Sequence, residues 1–372
     1  MLLYLIEKFG EGWVSSFAGL LIGLAFGACA QQSRFCMRAA VIETATRQIG
    51  ERFYVWFLTF STAILATQTL IYAGTLDVSE ARQLSATGSL SGALIGGALF
   101  GTGMILARGC SSRILVLSAT GNLRAIVTGL VLAVVAQASL RGILSPARQS
   151  LAELWTVPGG SARDLISVLG GGEQTGILIG LTGFFLAIAI AARKGIPRCG
   201  WGGGISIGII AALAWTVTYK LSQQTFDPTP IKGISFVGPS ADTLIGLINT
   251  PTLPLSFDLG LIPGVFGGSL IACIITREFV LQGFDGSTNM IRYLTGGALM
   301  GFGGMLAGGC TVGAALSGSS VFALTAWVAM LSMWASGAAV HLLLEWRGRS
   351  LEPAPNRLSE PAGILINRSG NR

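Results

Sequence analysis

Residues 96–111 read GGALFGTGMILARGCS, and residues 296–311 read GGALMGFGGMLAGGCT. Without a gap, 10 of the 16 positions are identical. Each run is apolar, is dotted with glycine and closes on a Gly-Cys pair, Gly109-Cys110 and Gly309-Cys310. A match of this kind says that the chain builds one unit twice. The composition says where: about 20 mostly apolar residues cross a bilayer as a helix, and glycine lets such helices pack backbone against backbone.

Outward from these runs, the chain keeps the same character. It has 372 residues, 51% hydrophobic and 11% charged, with 53 glycines and a mean hydropathy of +0.68. A soluble domain carries about 25% charged residues. The apolar runs are continuous, not alternating, which excludes a membrane barrel. The fold class is therefore an all-α integral membrane protein. The net charge of +7 does not mark a nucleic-acid binder, because the basic residues sit between apolar runs. Six cysteines without a C-x-x-C pair, and the single His341, give no zinc or iron–sulfur ligand set. A disulfide scaffold is equally out of character for a large, cysteine-poor chain. No nucleotide-binding motif is present, no cofactor is implied, and the expectation is a protein that is not an enzyme. Ala28-Cys29-Ala30 looks faintly like a cleavage site, but Glu7, Lys8 and Glu11 replace the positive leader such a signal needs. The N-terminus reads as a true first span.

Nine spans are predicted, over 13–32, 53–74, 88–107, 122–140, 174–193, 202–221, 258–279, 290–307 and 321–344. Shorter pieces lie near 37–50, 111–120 and 310–319, and 141–173 and 222–257 read as loops with at most short helices. Gly19, Gly23 and Gly27 in the first span, and Gly200, Gly204 and Gly208 in the sixth, repeat a four-residue step that puts small residues on one helix face. Together with the Gly-Cys match they divide the chain into a first repeat, 13–140, a connecting loop and linking span, 141–199, a second repeat, 200–344, and a polar tail, 345–372. A single span between two four-span units inverts the second, the plan of many transporters. Most of the Lys and Arg fall on the side of the loops after spans one, three, five and seven. The positive-inside rule then places the N-terminus outside and the C-terminus and tail in the cytoplasm.

Cys110 is followed by Ser111-Ser112 and Cys310 by Thr311. Ser and Thr start helices. Each cysteine thus sits at the N-terminus of a short helix, where amide N–H groups and the helix dipole favour an anion. If the halves invert, Gly109-Cys110 and Gly309-Cys310 dip toward each other from opposite faces and form the waist of a permeation path. The competing reading is two packing turns with inert buried thiols. A third element, Gln31-Gln32-Ser33-Arg34-Phe35-Cys36-Met37-Arg38, carries a third thiol. The corresponding stretch in the second half, Trp215–Lys220, shows no match. It reads either as a functional element, with Arg34 beside Cys36, or as a basic surface loop. Cys29 and Cys273 read as packing residues, Cys199 as incidental, His341 as a helix-end residue and Glu43 as solvated or functional.

These residues carry a resemblance. Through Gln32-Ser33-Arg34-Phe35-Cys36, Arg108-Gly109-Cys110 and Gly308-Gly309-Cys310 the chain resembles, over about 15–345, the YeeE/YedE family of membrane proteins. Many relatives have Gln-Arg-Gly-Arg-Phe-Cys where this chain has Gln31-Gln32-Ser33-Arg34-Phe35-Cys36. The resemblance implies nine spans with short re-entrant helices in an hourglass shape, in a bacterial inner membrane. It implies uptake of thiosulfate passed between three thiols, Cys36, Cys110 and Cys310, and a TusA-like sulfur carrier as a cytoplasmic partner. Three readings remain: a transporter of a small sulfur-containing anion, with Arg34, Gly109, Gly309, Ser111, Ser112 and Thr311 completing the path; an intramembrane sulfur-transfer protein holding a persulfide on Cys36; or a membrane partner or assembly subunit with no transport of its own.

Overall fold

The computed structural model describes residues 2–172, 174–194, 198–225, 230–249, 255–283 and 287–348. The side chain of Cys199 and the tail from 349 onward lie outside the described residues. The helices run in order α1 (Leu2–Phe9), α2 (Glu11–Ser33), α3 (Met37–Ala45), α4 (Glu51–Tyr72), α5 (Arg82–Ser85), α6 (Leu90–Leu106), α7 (Ser111–Ala119) and α8 (Leu123–Arg141). They continue as α9 (Ser145–Glu153), α10 (Leu165–Val168), α11 (Thr175–Arg193), α12 (Arg198–Ser222), α13 (Val237–Asn249), α14 (Phe257–Ile275), α15 (Ser287–Leu306) and α16 (Leu324–Trp346). A π-helical turn, Gly313–Gly318, precedes α16. The extended structure among the described residues amounts to a two-residue antiparallel pair, Gly88–Ser89 with Thr156–Val157, and two isolated bridges.

Among the described residues, 8 helices are long and apolar enough to cross a membrane: α2 running on through α3, α4, α6 running on through α7, α8, α11, α12, α14 and α16. The expected span over 290–307 is α15. It has 20 residues, but it opens on Ser287-Thr288-Asn289 and carries Arg292, so its first turns are polar. The region 222–257 holds more order than a loop. It contains α13, 13 residues long, with Pro239 in the first turn, where a missing N–H costs no hydrogen bond.

Glycine decides how closely the helices meet. A Cβ added at Gly19, Gly23 or Gly27 of α2 would strike backbone atoms of α14 at Phe257, Leu261 and Val265. One added at Gly260, Gly264 or Gly268 of α14 would strike Ser16, Leu20 and Leu24 of α2. The two helices therefore share a seam of bare backbone. The stripe on α12 meets a different surface: Gly204 and Gly208 face Thr59 and Thr62 of α4. At the centre, α6 and α15 cross antiparallel through four glycines, with Gly96 against Gly303 and Gly103 against Gly296. That contact brings both broken helix ends into the middle of the molecule. Large apolar side chains left exposed, such as Trp13, Phe17 and Leu21 on α2 and Leu178, Phe185 and Leu186 on α11, face outward as lipid contacts require.

One face carries the long loops. There Arg163 is buried and donates to the carbonyls of Arg82 at 3.1 Å and Ala86 at 2.6 Å, and to Thr325 Oγ1 at 2.7 Å. It ties the 142–174 loop to the 73–89 loop and to α16. Burial, and then the neighbouring Arg82, push its pKa down from the ordinary arginine range. The opposite face gathers Arg34, Arg52, Arg108 and Arg124.

Candidate functional site

Helix α6 stops at Leu106 and α15 at Leu306, each with a Schellman-type 6→1 bond: Gly109 N–H to the Met104 carbonyl at 3.1 Å, and Gly309 N–H to the Gly304 carbonyl at 2.9 Å. The residue before each glycine is left-handed, Arg108 at φ 54° and Gly308 at φ 76°. The bend releases Cys110 and Cys310 into the core, both fully buried.

Each cysteine then starts a helical segment. Cys110 is the N-cap residue of α7, and Cys36 occupies the same position before α3. Cys310 leads into the π turn, where Ser317 N–H bonds the Val312 carbonyl at 2.8 Å across five residues. Its sulfur accepts the Gly313 N–H at 3.3 Å. Cys110 Sγ lies 3.3 Å from Ser112 Oγ. The thiols of Cys36 and Cys110 are hydrogen-bond neighbours, and the Thr311 hydroxyl lies against Cys110. The two Gly-Cys turns therefore meet, and the third thiol joins them. Ser111 Oγ and Thr311 Oγ1 are sealed from solvent and make no hydrogen bond of ordinary geometry.

Arg34 is engaged by an acid. It ends α2 in the left-handed conformation, and its side chain turns to Glu278, 3.6 Å away, whose other oxygen accepts from Gln31 at 3.0 Å. The cations whose fields reach Cys36 most strongly are Arg113 and Arg38. Both follow a thiol by two or three residues, a spacing the sequence displays openly but which reads equally as a positive-inside loop. Glu43 is not part of the thiol cluster; its carboxylate accepts the Gly50, Arg52 and Phe53 amides at 2.8 to 3.3 Å and caps α4. His341 is buried in α16 with Nε2 3.2 Å from Glu345. Trp215–Lys220, the stretch compared with the third thiol's segment, lies inside α12. The place between a spanning helix and a short one belongs instead to the segment leading into α13.

Two adjoining clefts open on the long-loop face, of about 260 and 330 Å³, and both reach Gly308 and Gly313. The first is also lined by Gly309, Lys232 and its ion-pair partner Asp258; the second is lined by Arg82, Arg148 and Arg163. On the opposite face a cleft of about 420 Å³ is lined by Ser33, Arg34, Arg52 and Glu278. The thiols thus lie between polar clefts, close to helix N-termini and, among the described residues, without a matching set of acids. Such a centre can receive an anion and pass it between weak donors.

Residues 32–340 match the family model described as Sulphur transport. The thiosulfate transporter TsuA of Escherichia coli K12 is 26% identical over 362 residues, covering 91% of this chain and 98% of that protein. The thiosulfate transporter TsuA of Spirochaeta thermophila is 25% identical over 332 residues, covering 84% of this chain and 94% of that protein.

Proposed function

The chain belongs to the Sulphur transport family, and on that premise we propose that it takes up thiosulfate across the bacterial inner membrane along a path through Cys310, Cys110 and Cys36. The observation that carries this reading is the convergence of three helix-starting thiols with two buried hydroxyls, Ser111, which has no partner, and Thr311, whose neighbour is the Cys110 thiol. Buried polar atoms are almost always paired. An orphan at the meeting of two broken helices fits a transient polar guest better than a packing role.

A dianion in hydrocarbon is costly, so the path replaces water with amides, hydroxyls and thiol S–H groups. These donors are weak enough to let go. Gly109 and Gly309 supply the bends, Ser112 and Thr311 flank the Cys110 thiol, and Arg34 sits at the exit. The positive-inside rule makes the arginine-rich face cytoplasmic and the clefts at Gly308 the entrance, with the N-terminus outside and the C-terminus inside. The packing supports the division into inverted halves, 13–140 and 200–344: the pairs α2–α14, α6–α16 and α3–α16 recur as α12–α4, α15–α8 and α13–α8. The waist between the clefts fits an hourglass. The cytoplasmic arginine face is where a TusA-like acceptor would collect the sulfur.

The test is growth of an uptake-deficient bacterial host with thiosulfate as sole sulfur source. Cys110→Ala and Cys310→Ala are expected to cut uptake at least about tenfold while leaving the amount of protein in the membrane unchanged. Unaltered growth of both variants would remove the thiols from the path. A persulfide on Cys36 after turnover, seen by mass spectrometry, would turn the reading toward covalent sulfur transfer.

A further inference from the structure

We infer that Arg38 and Arg113 form a two-pronged seat for the sulfonate end of thiosulfate, with its terminal sulfur directed at Cys36 and Cys110; this rests on the transport reading above. Arg38 lies in the first turn of α3 and Arg113 in the first turn of α7. Arg38 Nε and Arg113 Nη1 are sealed from solvent and have no hydrogen-bond partner. Neither side chain is in an ion pair among the described residues. Of the acids on this face, Glu278 is engaged by Arg34 and Gln31 and Glu43 by the amides that begin α4, while Glu51 lines the cleft beside Arg34 and Arg52.

Arginine stays protonated in a protein, and an unpaired charge inside a membrane protein is expensive. The surroundings deepen the imbalance. Arg38 feels the charges of Arg108 and Arg124, and Arg113 those of Arg52 and Arg34. Cys36 is the group nearest to both that could carry negative charge, and one thiolate offsets only one cation. With Cys36 carrying its proton, a doubly charged anion matches the two cations. A guanidinium fork matches the oxygens of a tetrahedral oxyanion. A thiol is a poor partner for such oxygens but a fair one for a polarisable sulfur atom. The two halves of the site thus fit the two ends of thiosulfate. Sulfate shares the oxyanion end and lacks the sulfur end, so the seat binds sulfate and the thiols reject it.

Full-length protein in proteoliposomes, given radiolabelled thiosulfate, tests this. Arg38→Gln and Arg113→Gln are each expected to raise KM at least about tenfold, the loss of one charge-assisted contact, with Arg→Lys in between. Sulfate is expected to raise the melting temperature of the purified wild type and of Cys110→Ser, but not of the Gln variants. Wild-type transport with unchanged KM in the Gln variants overturns the seat and leaves the transport reading standing. A wild type that is inert toward thiosulfate yet stabilised by sulfate overturns transport and keeps the seat. Should the Gln variants fail to fold, the wild type decides: no sulfate-dependent shift overturns the seat.

Discussion

At the end of α6 the left-handed residue is Arg108; at the end of α15 it is Gly308. The guanidinium of Arg108 lies 6.0 Å from the Tyr293 ring, which Arg124 also approaches at 4.7 Å. Gly308 has nothing within reach of an added Cβ and opens onto both clefts of the long-loop face. The next residue differs as well. A Cβ on Gly109 would meet Ile114 Cγ1 at 3.3 Å, while one on Gly309 would meet the backbone nitrogen of Ala314 at 2.7 Å. One turn accepts backbone strain and gains a cation at the arginine-rich face; the other stays bare and tight at the opposite face. The same bend, made twice, is tuned by what lies on its side of the membrane.

The largest expected effect separates the two glycines. Gly309→Ala pushes a methyl into backbone that cannot yield, and about 2 to 3 kcal/mol of stability and most uptake should go with it. Gly109→Ala meets a flexible side-chain carbon and should cost less than about 1 kcal/mol. Equal melting temperatures for the two variants would break the comparison. Next comes Gly308→Ala, which fits sterically but pays for a left-handed side-chain residue, about 1 kcal/mol. Smallest is Arg108→Gly. It relieves that same strain and loses a contact with an aromatic face, so its stability should change by less than about 1 kcal/mol in either direction. A large loss there would mean that the guanidinium holds the turn together.

The spans were readable because bilayer thickness fixes the length of an apolar run, and the repeat because Gly-Cys recurs in frame. The three short segments after Cys36, Cys110 and Cys310 were also visible, as interruptions too short to cross. The π geometry of Gly313–Gly318 was not. It depends on tertiary partners, such as Gly313 against Ser235 and Ser317 against the Ile234 carbonyl, that no local pattern announces. Arg34 lies two residues before Cys36, but its ion-pair partner, Glu278, comes from the far half of the chain and no local pattern announces it. Arg113 and Arg38 read equally as surface charges or as residues of the path, and the burial of Arg38 Nε and Arg113 Nη1 is a property of the folded chain alone. Only the folded geometry tells them apart.

The π turn after Cys310 is also wired for optical readout. Two indoles donate to carbonyls at its C-terminal end, Trp215 Nε1 to Ser317 at 3.3 Å and Trp327 Nε1 to Ser319, the residue just after the turn, at 3.3 Å. Indole emission follows the polarity and hydrogen bonding of its ring nitrogen. A rewinding of that segment would change the surroundings of two of the chain's eight indoles, so the protein's own fluorescence can follow it with no added label.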